Sequence, residues 1–292
     1  MSVVVRVRVP ATSANLGPGF DAFGLALGLY DELEVRAVDQ GLTVRVEGEG
    51  ATEVPRDSSH LVVRSLHTAL DMLDRPVDGL ELRCVNRIPH GRGLGSSAAA
   101  IVGGVLAAFG LTGTPVDHER VLRLAARIEG HPDNVAACVY GGFTIAWNDA
   151  DGGRAVRLEP DPAISAVAYV PPDTLSTEQA RGLLPDTVAH ADAAANAGRA
   201  ALLATAVTSR PDLLLLATED RLHQQYRAPA MPDSAALVGE LRAAGVPAVV
   251  SGAGPTVLAL LGAGGGTEDA PQGWTRLALA IDPVGAQVWS VP

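Results

Sequence analysis

The chain has 292 residues, of which 47% are apolar, and its 22 basic side chains against 33 acidic ones leave a formal net charge of −11. That length can bury a large core and suits two domains. The acidic balance argues against nucleic acid or an anionic membrane as a bulk partner, while leaving room for one local anion site. Cys84 and Cys138 show no CxxC or Cys/His spacing, which points to buried free thiols and away from zinc or a disulfide framework. Residues 1–6 lack the layout of a signal peptide, and the apolar run at 98–111 is too short to span a bilayer. A cytoplasmic protein is expected.

In chain order, Val3–Val9 alternates valine with Arg6 and Arg8 and predicts a half-buried strand, followed by a Gly/Pro turn at Leu16–Gly19. Strands are expected at Leu29–Ala37 and Leu42–Glu47, separated by Gly41. Ser59–Asp74 carries Leu61, Val62, Leu66, Ala69, Leu70 and Leu73 at helical spacing. Leu80–Val85 reads as a strand, Ser96–Phe109 as a helix of small residues, and Asp117–Ile128 as a helix ending at Gly130. Strand character returns at Tyr140–Trp147 and Ala166–Val170. The prolines at 160–162 and 171–172 suggest a domain boundary, giving domains at 1–160 and 161–292. Helices are expected at 187–207, 211–223 and 233–244. Val246–Val250 and Thr256–Leu261 read as paired strands about the turn at 251–255, and 262–273 reads as a surface loop. Without regular βαβ alternation, the pattern favours an α+β fold over a doubly wound sheet.

One stretch carries chemistry of its own: Pro89-His90-Gly91-Arg92-Gly93-Leu94-Gly95-Ser96-Ser97. Glycines at alternate positions allow a tight loop whose N–H groups converge, and a helix then opens with its positive dipole end at the same spot. This is the makeup of a phosphate cradle. It is not a Walker A loop, which needs a lysine, and all 22 basic residues of this chain are arginine. Ser96 and Ser97 can serve as simple helix caps, but one cap needs one hydroxyl and the second is free for a metal. No G-x-G-x-x-G in a βαβ unit supports a dinucleotide site.

Four segments together resemble the GHMP small-molecule kinases, and within them the homoserine kinases. They are Pro10–Asp21 (Pro-Ala-Thr-Ser-Ala-Asn-Leu-Gly-Pro-Gly-Phe-Asp), the glycine loop, Glu129-Gly130-His131-Pro132-Asp133-Asn134-Val135, and Ser251-Gly252-Ala253-Gly254-Pro255-Thr256. They occur in the family's order and spacing and span nearly the whole chain. The resemblance implies a two-domain fold, with an N-terminal domain like ribosomal protein S5 domain 2 and a ferredoxin-like C-terminal domain. It implies ATP as co-substrate held by residues 89–97, and Mg²⁺ held by Ser97 and Glu129 between the β- and γ-phosphates. Mg²⁺ suits a hydroxyl, one carboxylate, phosphates and water. By the same resemblance Asn15 lies near the accepting hydroxyl, Asp21 meets an ammonium, and His131 and Asn134 face an amino-acid substrate, L-homoserine.

The substrate's carboxylate calls for arginine. Local context selects Arg181, in Ser176-Thr177-Glu178-Gln179-Ala180-Arg181, and Arg227, in Gln225-Tyr226-Arg227. Each of these residues also has a plain structural reading: Asn15 and Asp21 as turn formers, Glu129 as a solvated carboxylate, Asp133 as a helix cap, the arginines as surface charges. Asp133 invites a general-base role, which a loose phosphoryl-transfer transition state does not require. Arg199 reads as a structural ion-pair partner, and Arg92 as facing solvent. The chain departs from the family pattern at His60, where an asparagine near adenine is usual, at Ala137 in place of proline, and at Gly198 in place of serine. Homodimers are common in the family. The alternatives are another GHMP kinase, acting on mevalonate, a methylerythritol derivative, shikimate or a sugar, and a non-catalytic ATP-binding member.

Overall fold

Alternation at the start of the chain sends Val5, Val7 and Val9 inward and Arg6 and Arg8 outward, but the strand does not stop at Val9. In the computed structural model, which describes residues 4–262, 265–266 and 269–291, it runs as β1 (Val4–Ala14). A bulge between Pro10 and Ala11 breaks the alternation, and Thr12, Ser13 and Ala14 beyond it are all buried. Proline is tolerated at such a bulge because no ladder hydrogen bond is demanded of it. Val3 and part of the expected loop at 262–273 lie outside the described residues.

The elements that follow are β2 (Phe23–Val38), β3 (Gly41–Gly48), α1 (Leu61–Leu73), β4 (Gly79–Asn86), α2 (Ser96–Thr112), α3 (His118–Glu129) and α4 (Asp133–Tyr140). Next come β5 (Phe143–Asp149), β6 (Gly152–Leu158), β7 (Ser165–Val170), α5 (Thr177–Arg181) and α6 (His190–Thr208). The chain ends with α7 (Leu214–Ala217), α8 (Gln224–Arg227), α9 (Pro232–Ala243), β8 (Ala248–Val250), β9 (Val257–Leu261), β10 (Thr275–Leu279) and β11 (Gln287–Val291).

Among the described residues these strands form two sheets. One has β11, β1, β2, β4 and β3 in that order, with β5 and β6 attached through the first residues of β2. The pairing is antiparallel except for β3 with β4. The second sheet is antiparallel, in the order β10-β7-β9-β8. The mixed α+β architecture expected from the sequence is present. The last strand returns from the second sheet to the edge of the first.

Helix α2 is apolar on every side, and Ala98, Ala99 and Ile101 to Phe109 are all buried. A helix without a polar face belongs in a core, and α2 packs against β1, α1, α3 and α4. In the second sheet the run Ala166–Val170 is buried on both faces. Ala166, Ala168 and Val170 join the main core with Leu203, Ala206 and Val207, while Val167 and Tyr169 pack on Leu237 and Leu241 of α9. Period-2 geometry alone assigns those two sets. Among the described residues no helix is long and apolar enough to cross a membrane.

Two expected elements differ. The helix expected at 211–223 is broken into a 3-10 turn at Pro211–Leu213 and the single turn of α7. Asp220 then accepts the N–H groups of Leu222, His223 and Gln224, which starts α8 afresh. Tyr140, expected in a strand, is the last residue of α4.

Candidate active site

The glycine loop joins β4 to α2, and its backbone is as bent as its sequence suggests, with φ of +64°, +77° and +72° at Gly91, Gly93 and Gly95. Two of these glycines are required by their neighbours as well. A Cβ on Gly95 would collide with Thr12 Oγ1, and one on Gly93 with the carbonyl oxygen of Ser251. Gly95 caps α2 and no side chain does, so the N–H groups of its first turn have no intrahelical acceptor and keep the dipole's positive end available. Asp31, buried at the base of the loop, accepts the N–H groups of Arg87 and Ile88 at 2.6 and 2.9 Å and fixes how the loop leaves β4.

The loop is stitched to its surroundings. Thr12 N–H donates to Leu94 carbonyl, and Leu94 is buried in the core. Ser251 Oγ lies 2.7 Å from the Gly93 carbonyl and 2.8 Å from Ser13 Oγ. Arg92 does not point to solvent. It donates to the carbonyls of His90, Pro171 and Pro172 at 3.0, 3.0 and 2.8 Å, because the bend at Gly91 and Gly93 turns it onto the proline pair. Arg92→Ala is expected to lower unfolding free energy by about 1–2 kcal/mol, as carbonyl acceptors lose a charged donor, which urea unfolding will read.

Ser97 and Glu129 meet as expected, with Ser97 Oγ 2.7 Å from Glu129 Oε2. Neither serine caps the helix. Asp117 caps the start of α3, accepting from the N–H groups of Glu119 and Arg120, and Gly130 in the left-handed region ends it. Glu129 is therefore the last helical residue, where the dipole disfavours a negative charge. Burial pushes its carboxyl above the ordinary range, opposed by the Ser97 bond and by His131. A largely buried carboxylate at a helix C-terminus is poised for a cation. Among the described residues no cluster of three or more His, Cys, Asp or Glu forms a metal cage.

The 131–134 segment is less exposed than a helix start usually is. Asp133 is the first residue of α4 and not its cap. It is buried, and its Oδ1 receives both the Asn134 N–H and His131 Nδ1 at 2.8 Å. That bond raises the His131 pKa above the usual histidine value. Asn134 Oδ1 accepts from Thr12 Oγ1 at 2.8 Å.

Asn15 lies in the left-handed region, φ +69°, and both ends of its amide are engaged: Nδ2 donates to Gly252 carbonyl at 2.7 Å and Oδ1 accepts the N–H of Asp21 at 2.9 Å. Asp21, also at positive φ, meets Arg181 in a bidentate pair at 2.9 and 2.7 Å. Ser176 and Gln179 form a capping box on α5, which holds Arg181 at the end of that short helix.

Arg227 is the largest fully buried side chain. Its partners are neutral: the carbonyls of Ala180 and Gly252, His223 Nδ1 at 3.1 Å, and the Phe20 ring 5.3 Å below the guanidinium. His223 donates through Nε2 to Gly17 carbonyl and stacks on Phe20. Among the described residues Arg227 has no carboxylate within salt-bridge distance. Burial holds its pKa below the usual arginine value, with Arg181 adding to the effect. Arg199, by contrast, pairs with Glu219 at 2.8 Å, as read from the sequence.

Asn15, Asp21, Gly91, Gly93, Gly95, Ser96, Ser97, Glu129, His131, Asn134, Arg181 and Arg227 all line one cavity of about 150 Å³. The expected residues outside it are Pro89, His90, Arg92 and Leu94. An adjoining cavity of about 280 Å³ shares Ser96 and Ser97 with it and is walled mainly by Val9, Leu33, Val54, Leu61, Val62 and Cys84. His90 reaches this second cavity, and so does His60. His60 is 5% exposed, and its Nδ1 has no hydrogen-bond partner among the described residues. Sequence reasoning missed Phe20, His223 and Thr12. His223 had no motif around it, and Phe20 and Thr12 sat unremarked inside the first segment.

A loop-and-helix anion site between a mainly apolar cavity and a cavity of paired charges defines a nucleotide-dependent phosphotransferase of small molecules. Models of the GHMP kinases N terminal domain and the GHMP kinases C terminal domain match residues 60–142 and 193–271. The homoserine kinases of Streptomyces avermitilis and Streptomyces coelicolor are each 58% identical to the chain over 98% of its length, covering 96% and 95% of their own. A crystal structure of homoserine kinase from Cytophaga hutchinsonii superimposes with a TM-score of 0.86 at 26% identity, covering 98% of this chain and 97% of the other. The chain belongs to the GHMP kinases and, within them, to the homoserine kinase family.

Proposed function

We propose that this protein transfers the γ-phosphoryl group of ATP to the side-chain hydroxyl of L-homoserine. The observation that carries the substrate is Arg227, a fully buried cation without a carboxylate partner among the described residues, facing the same cavity as Arg181 and Asp21. A buried charge is stable when paired, and an amino acid's carboxylate supplies that pair. Asp21 then takes the ammonium, and Asn15, His131 and Asn134 fix the chain that carries the hydroxyl.

The nucleoside half of ATP fits the apolar cavity, with its phosphates over the loop at 89–97. Ser97 and Glu129 fit Mg²⁺, an all-oxygen pair at a helix end that disfavours bare negative charge. When bound, the ion supplies positive charge to the β- and γ-phosphates. The chain's own part is positioning: the first-turn N–H groups of α2 orient the phosphates, and the arginines and Asp21 aim the hydroxyl. Asp133 already holds the His131 ring and the Asn134 N–H, so its work is to orient His131. A loose transition state lets the hydroxyl lose its proton late, without a side-chain base.

His60 fits a contact to the base. His60→Ala is expected to raise the KM for ATP about tenfold, the loss of one buried hydrogen bond, and to leave the KM for homoserine unchanged. ADP release measured with homoserine, mevalonate, shikimate and galactose tests the substrate directly. Highest kcat/KM on homoserine supports the reading. Preference for any of the other alcohols overturns it within the family, and ATP binding without turnover on any alcohol favours a non-catalytic role.

A further inference from the structure

Asp21 and Arg181 lie 160 positions apart in the chain and reach the cavity from different segments, yet they are bound to each other by two parallel hydrogen bonds. Neither can take the opposite end of an amino acid while that pair is closed. Resting on the reading of the site as an amino-acid site, we infer that the Asp21–Arg181 pair stands in the place of the substrate's two charges and thereby selects ligands that carry both.

Both backbones are fixed independently of the pair. The N–H of Asp21 is held by Asn15 Oδ1. The segment leading into α5 is held by Leu175 N–H on the Gly91 carbonyl and by the Ser176–Gln179 capping box. Opening the pair is thus a matter of side-chain rotation. The two side chains are 38% and 40% exposed, and pairs at such exposure are weak enough to open.

An α-amino acid bears ammonium and carboxylate on one carbon. Inserted between the two side chains, it replaces one ion pair by two, with Arg227 adding a second guanidinium for the carboxylate. A ligand with a carboxylate alone recruits Arg181 only by stranding Asp21. A ligand with an ammonium alone recruits Asp21 only by stranding Arg181. Each singly charged ligand therefore binds against a closed pair, and removing the stranded partner lifts that penalty.

The test measures the Kd of 4-hydroxybutyrate, homoserine without its amino group, by calorimetry on the whole protein. The variants are Asp21→Asn and Glu129→Gln, the second removing the same charge from the same cavity without touching the pair. Asp21→Asn is expected to bind it about fivefold more tightly than wild type, and Glu129→Gln to change it by less than about twofold. Equal gains in the two variants, or no gain in Asp21→Asn, overturn the inference. In the reverse arm, 3-aminopropan-1-ol gains about fivefold with Arg181→Gln but not with Arg227→Gln, and it decides alone if Asp21→Asn does not fold. Wild-type turnover of homoserine, run alongside, reports separately on the substrate. Its failure with these gains intact removes homoserine and keeps the pair.

Discussion

Glu129→Gln lowers kcat by about two to three orders of magnitude while the fold survives. Gln keeps the shape and still accepts from Ser97 Oγ, so what is lost is the negative charge that sits beside the phosphate loop. The sign of the accompanying stability change distinguishes this from general damage. Burial raises the folded-state pKa of Glu129 above its unfolded value. Between those two values the native state holds more protons, so this group's contribution to stability falls as pH rises through the window. At neutral pH an ionised Glu129 is a net cost in the ligand-free protein, and the variant is expected to melt no lower than wild type. Mg²⁺ with ATP then raises the Tm of wild type more than that of the variant. The acid limb of the wild-type kcat/KM profile for ATP, which reports the free enzyme, lies above the ordinary carboxylate range for the same reason, and disappears in Glu129→Gln.

Arg227→Gln raises the KM for homoserine at least about thirtyfold and leaves the KM for ATP within about twofold. The guanidinium is buried among Ala180 carbonyl, Gly252 carbonyl, His223 and Phe20, all neutral. A carboxylate entering there meets a desolvated cation, where a charge-assisted bond counts for more than on a surface. Steady-state kinetics with each substrate varied in turn separates the two KM values. A comparable rise for ATP would mean that Arg227 supports the cavity as a whole.

Much of this site was legible in the sequence because its chemistry is concentrated in short segments. Gly91, Gly93 and Gly95 announced a bent loop, and the Ser-Ser pair after it announced a helix start facing an anion. Ser97 and Glu129 are 32 positions apart, and their meeting at 2.7 Å was expected only from the family resemblance and not from either residue's surroundings. What stayed hidden depends on long-range packing. Arg92 turns onto Pro171 and Pro172, 79 and 80 residues away, because the loop's bend aims it there, and no local pattern records that. Phe20 reaches Arg227 from more than 200 positions away, while His223, one helical turn before it, sat in a stretch without a recognisable pattern. The fold behaved similarly. The α1 helix follows from periodicity, α2 from its run of small residues and the β8–β9 pair from the turn between them, whereas the helix expected at 211–223 failed because Asp220 captures three backbone N–H groups and restarts the chain.

The central claim is that paired charges beside a lysine-free phosphate loop direct a phosphoryl group onto the hydroxyl of an amino acid. ³¹P NMR of the protein incubated with ATP, Mg²⁺ and L-homoserine tests it most directly. The predicted result is loss of the γ-phosphate signal with growth of one phosphomonoester resonance, coupled to the protons of the homoserine side-chain methylene. Free inorganic phosphate as the sole product, or a monoester formed from an uncharged alcohol in preference to homoserine, would contradict it.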